Sequence, residues 1–469
     1  MKTPPASRRS DSNFLVFRLL PSAMAIAAVA FLLLPPATAQ TGAKAKKKPK
    51  NGGNSTFVGY EPSREAVDEA GKGDWSRWRG PAGDAVSAES DLLTEWPAEG
   101  PPLAWEVNDI GGGMSSVAVS NGRIFTMGKK GDDVRLVARN VSDGQELWAT
   151  PIANDGDPNC TPTVDGDRVY AISHDGTLVC CSVKDGKILW KKSFSQDFGG
   201  RMHSGWGYSE SPLVDGDKLI CTPGAAKAML AALDKMTGKT IWMTPLPDGA
   251  GNKGSDGAGY ASPVISNAGG VKQYITLVGR GIISADAKTG ELLWGYNQVA
   301  NGTANIPTPL INGDYVFCSS GYGDGGTALL KITKKGKKLN AEEVYWKSSN
   351  ELQNHHGGMV MLGDYVYFGE GHNQGLPVCV EWKTGKQLWG KQRGAGADSA
   401  AVAFADNHLY FRYQNGVMAL INTNPKKYEL VSKFKIPGDE GPSWPHPVIA
   451  GGKLYLRAGD RLLAYDIHK

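Results

Sequence analysis

The chain has 469 residues, of which 61 are glycine and 13 are tryptophan. That much glycine beside repeated tryptophan excludes a helical bundle and fits a turn-dense, all-β repeat architecture. The formal charge of +4 is local to the N-terminus, and from about Val58 onward the chain is near −4, so the body lacks the basic footprint of a nucleic-acid binder.

In chain order, the first 39 residues read as an export signal. Lys2, Arg8, Arg9 and Arg18 form a basic region, Met24 to Leu34 an uncharged apolar run, and Ala37-Thr38-Ala39 a small-residue cleavage site. The run is short for a membrane span, which needs about 20 residues. No cysteine follows it to carry a lipid. The expectation is a protein of the periplasm or cell envelope, not integral to a membrane once cleaved. Residues 40–73 read as a flexible linker carrying Lys44, Lys46, Lys47, Lys48 and Lys50. Its alternative role is adhesion to anionic lipid or wall polymer. Residues 74–102 form a leader with Trp75 and Trp78-Arg79-Gly80-Pro81. It is expected to cap the side or floor of the domain that follows.

Residues 103–469 repeat one pattern. Leu136 to Trp148 reads LVARNVSDGQELW, Leu178 to Trp190 LVCCSVKDGKILW, Leu230 to Trp242 LAALDKMTGKTIW, Ile282 to Trp294 IISADAKTGELLW, and Pro377 to Trp389 PVCVEWKTGKQLW. Degenerate copies are expected to end at Trp346 and Phe434. The seven aromatics are 42, 52, 52, 52, 43 and 45 residues apart, the period of four-stranded propeller blades. The D-G and T-G pairs supply the positive φ of a tight turn. The tryptophans are expected to pack between blades. Eight innermost strands are expected near Ser116, Thr161, Ser211, Ser262, Thr308, Gly358, Ala400 and His446, several opened by a small residue and proline. The last copy stops at a third strand, Leu462 to Asp466, while Leu103 to Val107 is a Trp strand with no blade before it. An eight-bladed β-propeller of four-stranded antiparallel blades, closed by its N-terminal strand, accounts for both and leaves no open sheet edge.

A propeller gathers ligands on its axis, at the loops leading into the innermost strands. Those loops hold Trp206, Glu210, Tyr260 and Asn305 as a candidate binding ring, with Cys160, Tyr208, Asp398 and Trp444 beside them. The same loops carry His355, His356 and His446. With Glu210 these could present ligands to Zn²⁺ or Cu²⁺, though ordinary hydrogen-bonded loop histidines give the same pattern.

The KDGKILW and KTGKQLW segments resemble the pyrroloquinoline-quinone (PQQ) repeat, found in quinoprotein alcohol dehydrogenases and in BamB-like envelope proteins. The Trp-x-x-Trp-Arg-Gly-Pro leader resembles secreted PQQ-like proteins of planctomycete-type bacteria. The dehydrogenase resemblance implies PQQ held between a floor tryptophan and a vicinal disulfide, with Ca²⁺ and a catalytic aspartate. Trp206-Gly207 matches the floor segment. Cys180-Cys181 is vicinal but falls within a third strand, where neighbouring side chains point to opposite faces. The position matching the family's pair holds only Cys160. The turn Cys221-Thr222-Pro223-Gly224 lacks the family's metal-binding asparagine. Gly257 to Tyr260 replaces its aspartate. The leading expectation is therefore a non-catalytic scaffold without cofactor, binding an envelope protein or polymer. A divergent PQQ-dependent alcohol or sugar dehydrogenase is the alternative.

Overall fold

The computed structural model describes residues 73–246 and 249–469. The expected export signal and nearly all of the Lys-rich linker lie outside these residues. Among the described residues, eight sheets each contain four antiparallel strands. Blade 1 is Ala118–Ser120, Arg123–Lys130, Asp133–Asn140 and Glu146–Ala153. The innermost strands of blades 2 to 8 are Thr163–Asp165, Leu213–Asp215, Val264–Ser266, Leu310–Asn312, Asn354–Leu362, Ala400–Ala405 and Val448–Ala450. Blade 8 is completed by Leu103–Val107, which pairs antiparallel with Arg461–Asp466. The chain is an eight-bladed β-propeller.

Three of the repeated tryptophans join one blade to the next through two contacts each. Trp105, Trp148 and Trp190 donate from Nε1 to Val141, Val183 and Lys235 carbonyls of the following blade, at 2.9, 3.1 and 3.0 Å. Each ring lies flat on the turn glycine there. A Cβ on Gly144, Gly186 or Gly238 would sit 2.7, 2.5 or 2.8 Å from the facing ring. These glycines have φ near +71°, so shape and backbone both require glycine. The acid that opens the turn tightens it: Asp234 Oδ1 accepts from the Met236 and Thr237 amides at 3.1 and 2.8 Å.

Two expected docking residues are corrected. In blade 5 the ring on the next turn is Tyr345, not Trp346. Its hydroxyl donates to the Trp382 carbonyl at 2.7 Å, and a Cβ on Gly385 would lie 2.8 Å from its ring. A sheet irregularity falls one residue earlier there than a count from the tryptophan suggests. In blade 7, Ser432 rather than Phe434 holds the register of the other tryptophans, opposite Leu420 and next to the bulge. The missing ring comes from the leader. Trp96 packs 5.5 Å from both Tyr410 and Phe434, and its amide donates to Ser432 Oγ at 3.0 Å.

The leader also imitates the turn that blade 8 lacks. Gly100, at φ +98°, sits on the Phe434 ring, where a Cβ would come within 2.7 Å. The Asp466 amide reaches the Pro102 carbonyl at 2.7 Å, the bond that Ser182 makes to Lys187 within blade 2's covalent turn. Upstream, the leader runs across the inner edges of the blades, where Trp78 and Arg79 line the axial funnel. Trp75 exchanges two backbone bonds with Val119 of blade 1, Ser76 accepts from Val164 of blade 2, and Ala85 and Ser87 pair with Phe404 of blade 7. The free inner edges of three blades are thereby satisfied.

Candidate functional site

Where the chain turns into its innermost strands, small hydroxyl residues before proline form a hydrogen-bond girdle around the channel. The Thr161 amide donates to Ser211 Oγ, the Ser211 amide to Ser262 Oγ, and the Ser262 amide to Thr308 Oγ1, at 3.2, 2.9 and 3.4 Å. Beyond the girdle the loops open into a funnel of about 480 Å³ on the propeller axis, within the size range of small-molecule sites. Trp78 and Arg79 of the leader form part of its lining.

The candidate ring divides in two. Trp206 and Tyr260 face the funnel. Trp206 is 46% exposed, yet its backbone is pinned: its amide donates to Tyr260 Oη at 3.3 Å and its carbonyl accepts from Asn159 at 2.9 Å. Tyr260 Oη in turn lies 2.7 Å from Ser204 Oγ. Glu210 and Asn305 are instead buried in the wall. Glu210 Oε1 accepts the Thr222 amide at 2.6 Å, and burial pushes its carboxyl up to about 7. Its other oxygen has no hydrogen-bond partner, a burial that disfavours the ionised form. Asn305 is spent on backbone: its amide group donates to Gly279 and Asn301 carbonyls and its oxygen accepts the Asn301 amide at 3.0 Å. Tyr208, which donates to the Pro223 carbonyl, and Cys160 are core residues.

The histidines gather on the opposite wall. His355 lies 4.4 Å from His356 and 4.6 Å from His372, ring to ring, and Tyr322 stands edge-on to His355 at 4.7 Å. His446 stacks 4.4 Å from Trp78, and its Nε2 lies 3.4 Å from the His356 carbonyl. Burial lowers His355 to about 2 and His356 and His446 to about 3, helped by neighbouring imidazoles and, at His446, by Arg79. All three are neutral at ordinary pH. Among the described residues no group of three or more His, Cys, Asp or Glu side chains is arranged to hold a metal ion.

Sequence reasoning missed Trp78, Arg79 and Tyr322. The first two reach the axis only because the leader runs across the inner edges of the blades. Tyr322 does so from the loop after the second strand of blade 5, where it holds φ +62°. A lone aromatic in the glycine-rich run Gly321 to Gly326 was its only sequence signal.

The PQQ-repeat family described as "Outer membrane protein assembly factor BamB" matches residues 65–258 and 132–390. The chain belongs to this family. Among curated relatives, BamB of Moranella endobia is 24% identical over 270 residues, 56% of this chain and 62% of that one. BamB of Burkholderia pseudomallei is 28% identical over 116 residues, and the match spans only 27% of its length. Quinoprotein ethanol dehydrogenase of Pseudomonas aeruginosa is 28% identical over 153 residues, 29% of this chain and 24% of that one. Among solved structures, a europium-containing methanol dehydrogenase superposes with a TM-score of 0.60 at 12% identity, covering 84% of this chain and 91% of that one. The quinohemoprotein alcohol dehydrogenase of Comamonas testosteroni gives 0.59 at 12%, covering 85% and 81%. Likeness at this identity shows the shared fold.

The residues of this BamB-like propeller do not fit the quinone site that its dehydrogenase relatives imply. Cys180 and Cys181 are free thiols, both buried in the third strand of blade 2, Thr177–Ser182. They pair across the sheet with Trp190 and Ile188. Cys160 is buried with its Sγ turned to the Thr161 carbonyl. The two wall groups with ligand oxygens, Glu210 and Asn305, are committed to backbone amides. Beside Trp206 the funnel lining offers the Asp157 carboxylate and Asn159, whose amide group is bonded to the Trp206 carbonyl.

Proposed function

We propose that this BamB-like propeller is a non-catalytic binding protein or scaffold of the cell envelope, reached through a cleaved export signal. The observation that carries the reading is the commitment of Glu210 and Asn305 to the wall, which takes both expected oxygen ligands out of the funnel and leaves Asp157 as the acid in its lining, short of the ligand set together with a base that alcohol oxidation requires. The funnel instead offers aromatic surface and neutral imidazoles, the composition of a recognition site. Relatives named as outer membrane assembly factors support an envelope protein as partner. No helix among the described residues is long and apolar enough to cross a membrane.

The test is to titrate the purified mature protein with PQQ and CaCl₂, following absorbance and heat. No uptake at tens of micromolar, with an envelope protein retained by crosslinking, supports the reading. One-to-one binding with dye-linked alcohol or sugar oxidation overturns it, in favour of a divergent quinoprotein dehydrogenase. Trp206, a tryptophan held exposed at the funnel, is the observation on that side, and Trp206→Ala should then abolish the oxidation.

A further inference from the structure

One hairpin departs from the repeat. The third and outer strands of blade 5, Gly326–Lys335 and Lys338–Ser348, run 10 and 11 residues, where those of blade 4 run 6 and 5. The extra length lies at the turn. After the sheet irregularity between Leu329 and Leu330 the two strands continue through six pairs, from Leu330 with Glu343 to Lys335 with Lys338, whereas blades 3 and 4 continue through one. Five additional pairs at about 3.3 Å each carry the turn ~16 Å farther along the strands. The extension is braced: Ile332 and Leu339 are buried in an apolar cluster with Ala268, and a Cβ on Gly269 would lie 2.6 Å from the Leu339 side chain. The blade 4 segment beneath it, Asn267 to Val271, is uncharged.

The tip is cationic. Lys334, Lys335, Lys337 and Lys338 stand exposed around Gly336, and Lys335 lies directly opposite Lys338, a like-charge pairing that works against the hairpin. Among the described residues the tip has one ion pair, Lys335 with Glu342 at 3.1 Å. The next acids are occupied: Glu343 accepts the Tyr296 hydroxyl at 2.6 Å and Asp314 the Gly269 amide at 2.8 Å. Between Lys331 and Glu342 there is neither arginine nor aromatic residue. Lysine ammoniums are hydrated point charges without the directional fork of a guanidinium, so this tip suits a dense field of anionic charge better than one defined anion. A linear polyanion needs a stripe or groove to follow, whereas four lysines at one hairpin end meet a plane together.

The turns after the first and third strands of each blade share one face of the propeller, where Val183 bonds Asp167 and Ile332 bonds Asp314 from turn to turn. The funnel opens on the other face, from the loops after the second and fourth strands. The body, near −4 from about Val58 onward, is repelled by an anionic surface, but screening limits that repulsion to about 8 Å at physiological ionic strength, less than the length of the extension. We infer that the blade 5 hairpin docks the propeller on an anionic phospholipid surface through Lys334, Lys335, Lys337 and Lys338 and leaves the funnel open on the opposite face, a role beyond the binding-protein reading and independent of what the funnel binds.

Co-sedimentation of the full-length mature protein with vesicles of phosphatidylglycerol and phosphatidylcholine, beside vesicles of phosphatidylcholine alone, tests this at about 0.15 M salt. The anionic vesicles are expected to bind ten-fold or more tighter, and added salt should release the protein. At roughly five-fold per lysine, Lys334→Gln with Lys337→Gln and Lys338→Gln should weaken that binding about a hundred-fold. The three side chains are exposed and Ile332 and Leu339 are kept, so the melting temperature should not fall. Equal binding to both vesicles, or none to the anionic ones, overturns the inference. A triple variant that binds like the parent also overturns it, because charge elsewhere, such as Lys44 to Lys50, would then carry the binding. Retention on polygalacturonate that the triple variant loses, without vesicle binding, overturns it by assigning the tip to an acidic polymer. PQQ titration is scored separately: stoichiometric PQQ removes the binding-protein reading and leaves the vesicle result unaffected.

Discussion

Replacing Trp96 by alanine isolates the leader's contribution to blade 7. The ring is 4% exposed, lies 5.5 Å from Tyr410 and from Phe434, and has no hydrogen bond at Nε1. Its loss is therefore one of packing. Truncating a buried tryptophan to alanine costs about 3–5 kcal/mol, and a segment that can partly settle into the gap falls at the lower end, ~3 kcal/mol. Unfolding entropy of ~2.1 cal/mol/K per residue over a unit this long converts that to a drop in Tm of ~3–5 °C. Scanning calorimetry of Trp96→Ala and of Trp96→Ala with Ser432→Trp reads the effect. Ser432 holds the register of the docking tryptophans, so the second change should restore at least half the loss, and Ser432→Trp alone should destabilise by crowding Trp96. A Tm drop below 1 °C for Trp96→Ala, or a double variant no better than the single, would refute the claim that the leader supplies the absent ring.

Three further outcomes follow from the geometry. Glu210 is raised to about 7 in the folded chain, above its unfolded value near 4.5, so the folded state holds its proton more tightly. Its contribution is fully present below pH 4.5 and is lost as pH rises to 7, on the order of 3 kcal/mol across that window. Glu210→Gln should flatten the fall in Tm between pH 5 and pH 7.5, and an unchanged slope would exclude Glu210 as its source. Gly238→Ala places a Cβ 2.8 Å from the Trp190 ring at φ +71° and should cost ~2 kcal/mol in denaturant unfolding, mostly backbone and overpacking strain. Deleting residues 101–107 removes the strand that completes blade 8 and exposes the edge of Arg461–Asp466; the variant should melt well below the parent and aggregate on heating, as a monomer with parental Tm would not.

The architecture was readable because its signal is repeated. Five copies of turn and tryptophan give the period, and an unmatched Trp strand at one end with an unmatched third strand at the other gives the closure. Misreadings occurred where a single blade departs from the rule. Tyr345 stands one position from the expected Trp346 because a bulge shifts the register, and the ring missing beside Phe434 comes from a residue over 300 positions away. The site was half legible for a related reason. Sequence places Glu210 and Asn305 on loops leading to the axis, but whether such a side chain faces the funnel or the wall depends on which backbone amide is within its reach. Asn301 and Thr222 capture them. Arg79 carried no axial signal, since nothing local shows that residues 74–87 run across the inner edges of the blades.

The leader makes the propeller's two ends depend on each other. Glu89 bonds the amides of Gly451 and Gly452, 362 and 363 positions later, and Leu93 bonds Ile467. Contacts of such separation form late, because loop-closure entropy must be lost before they give any return. The first tryptophans made by the ribosome therefore wait for the last strand, and early blades must persist with an unsealed axis until the C-terminus arrives. Partial chains would have blades without a funnel floor, so recognition at the axis reports that the whole ring has assembled.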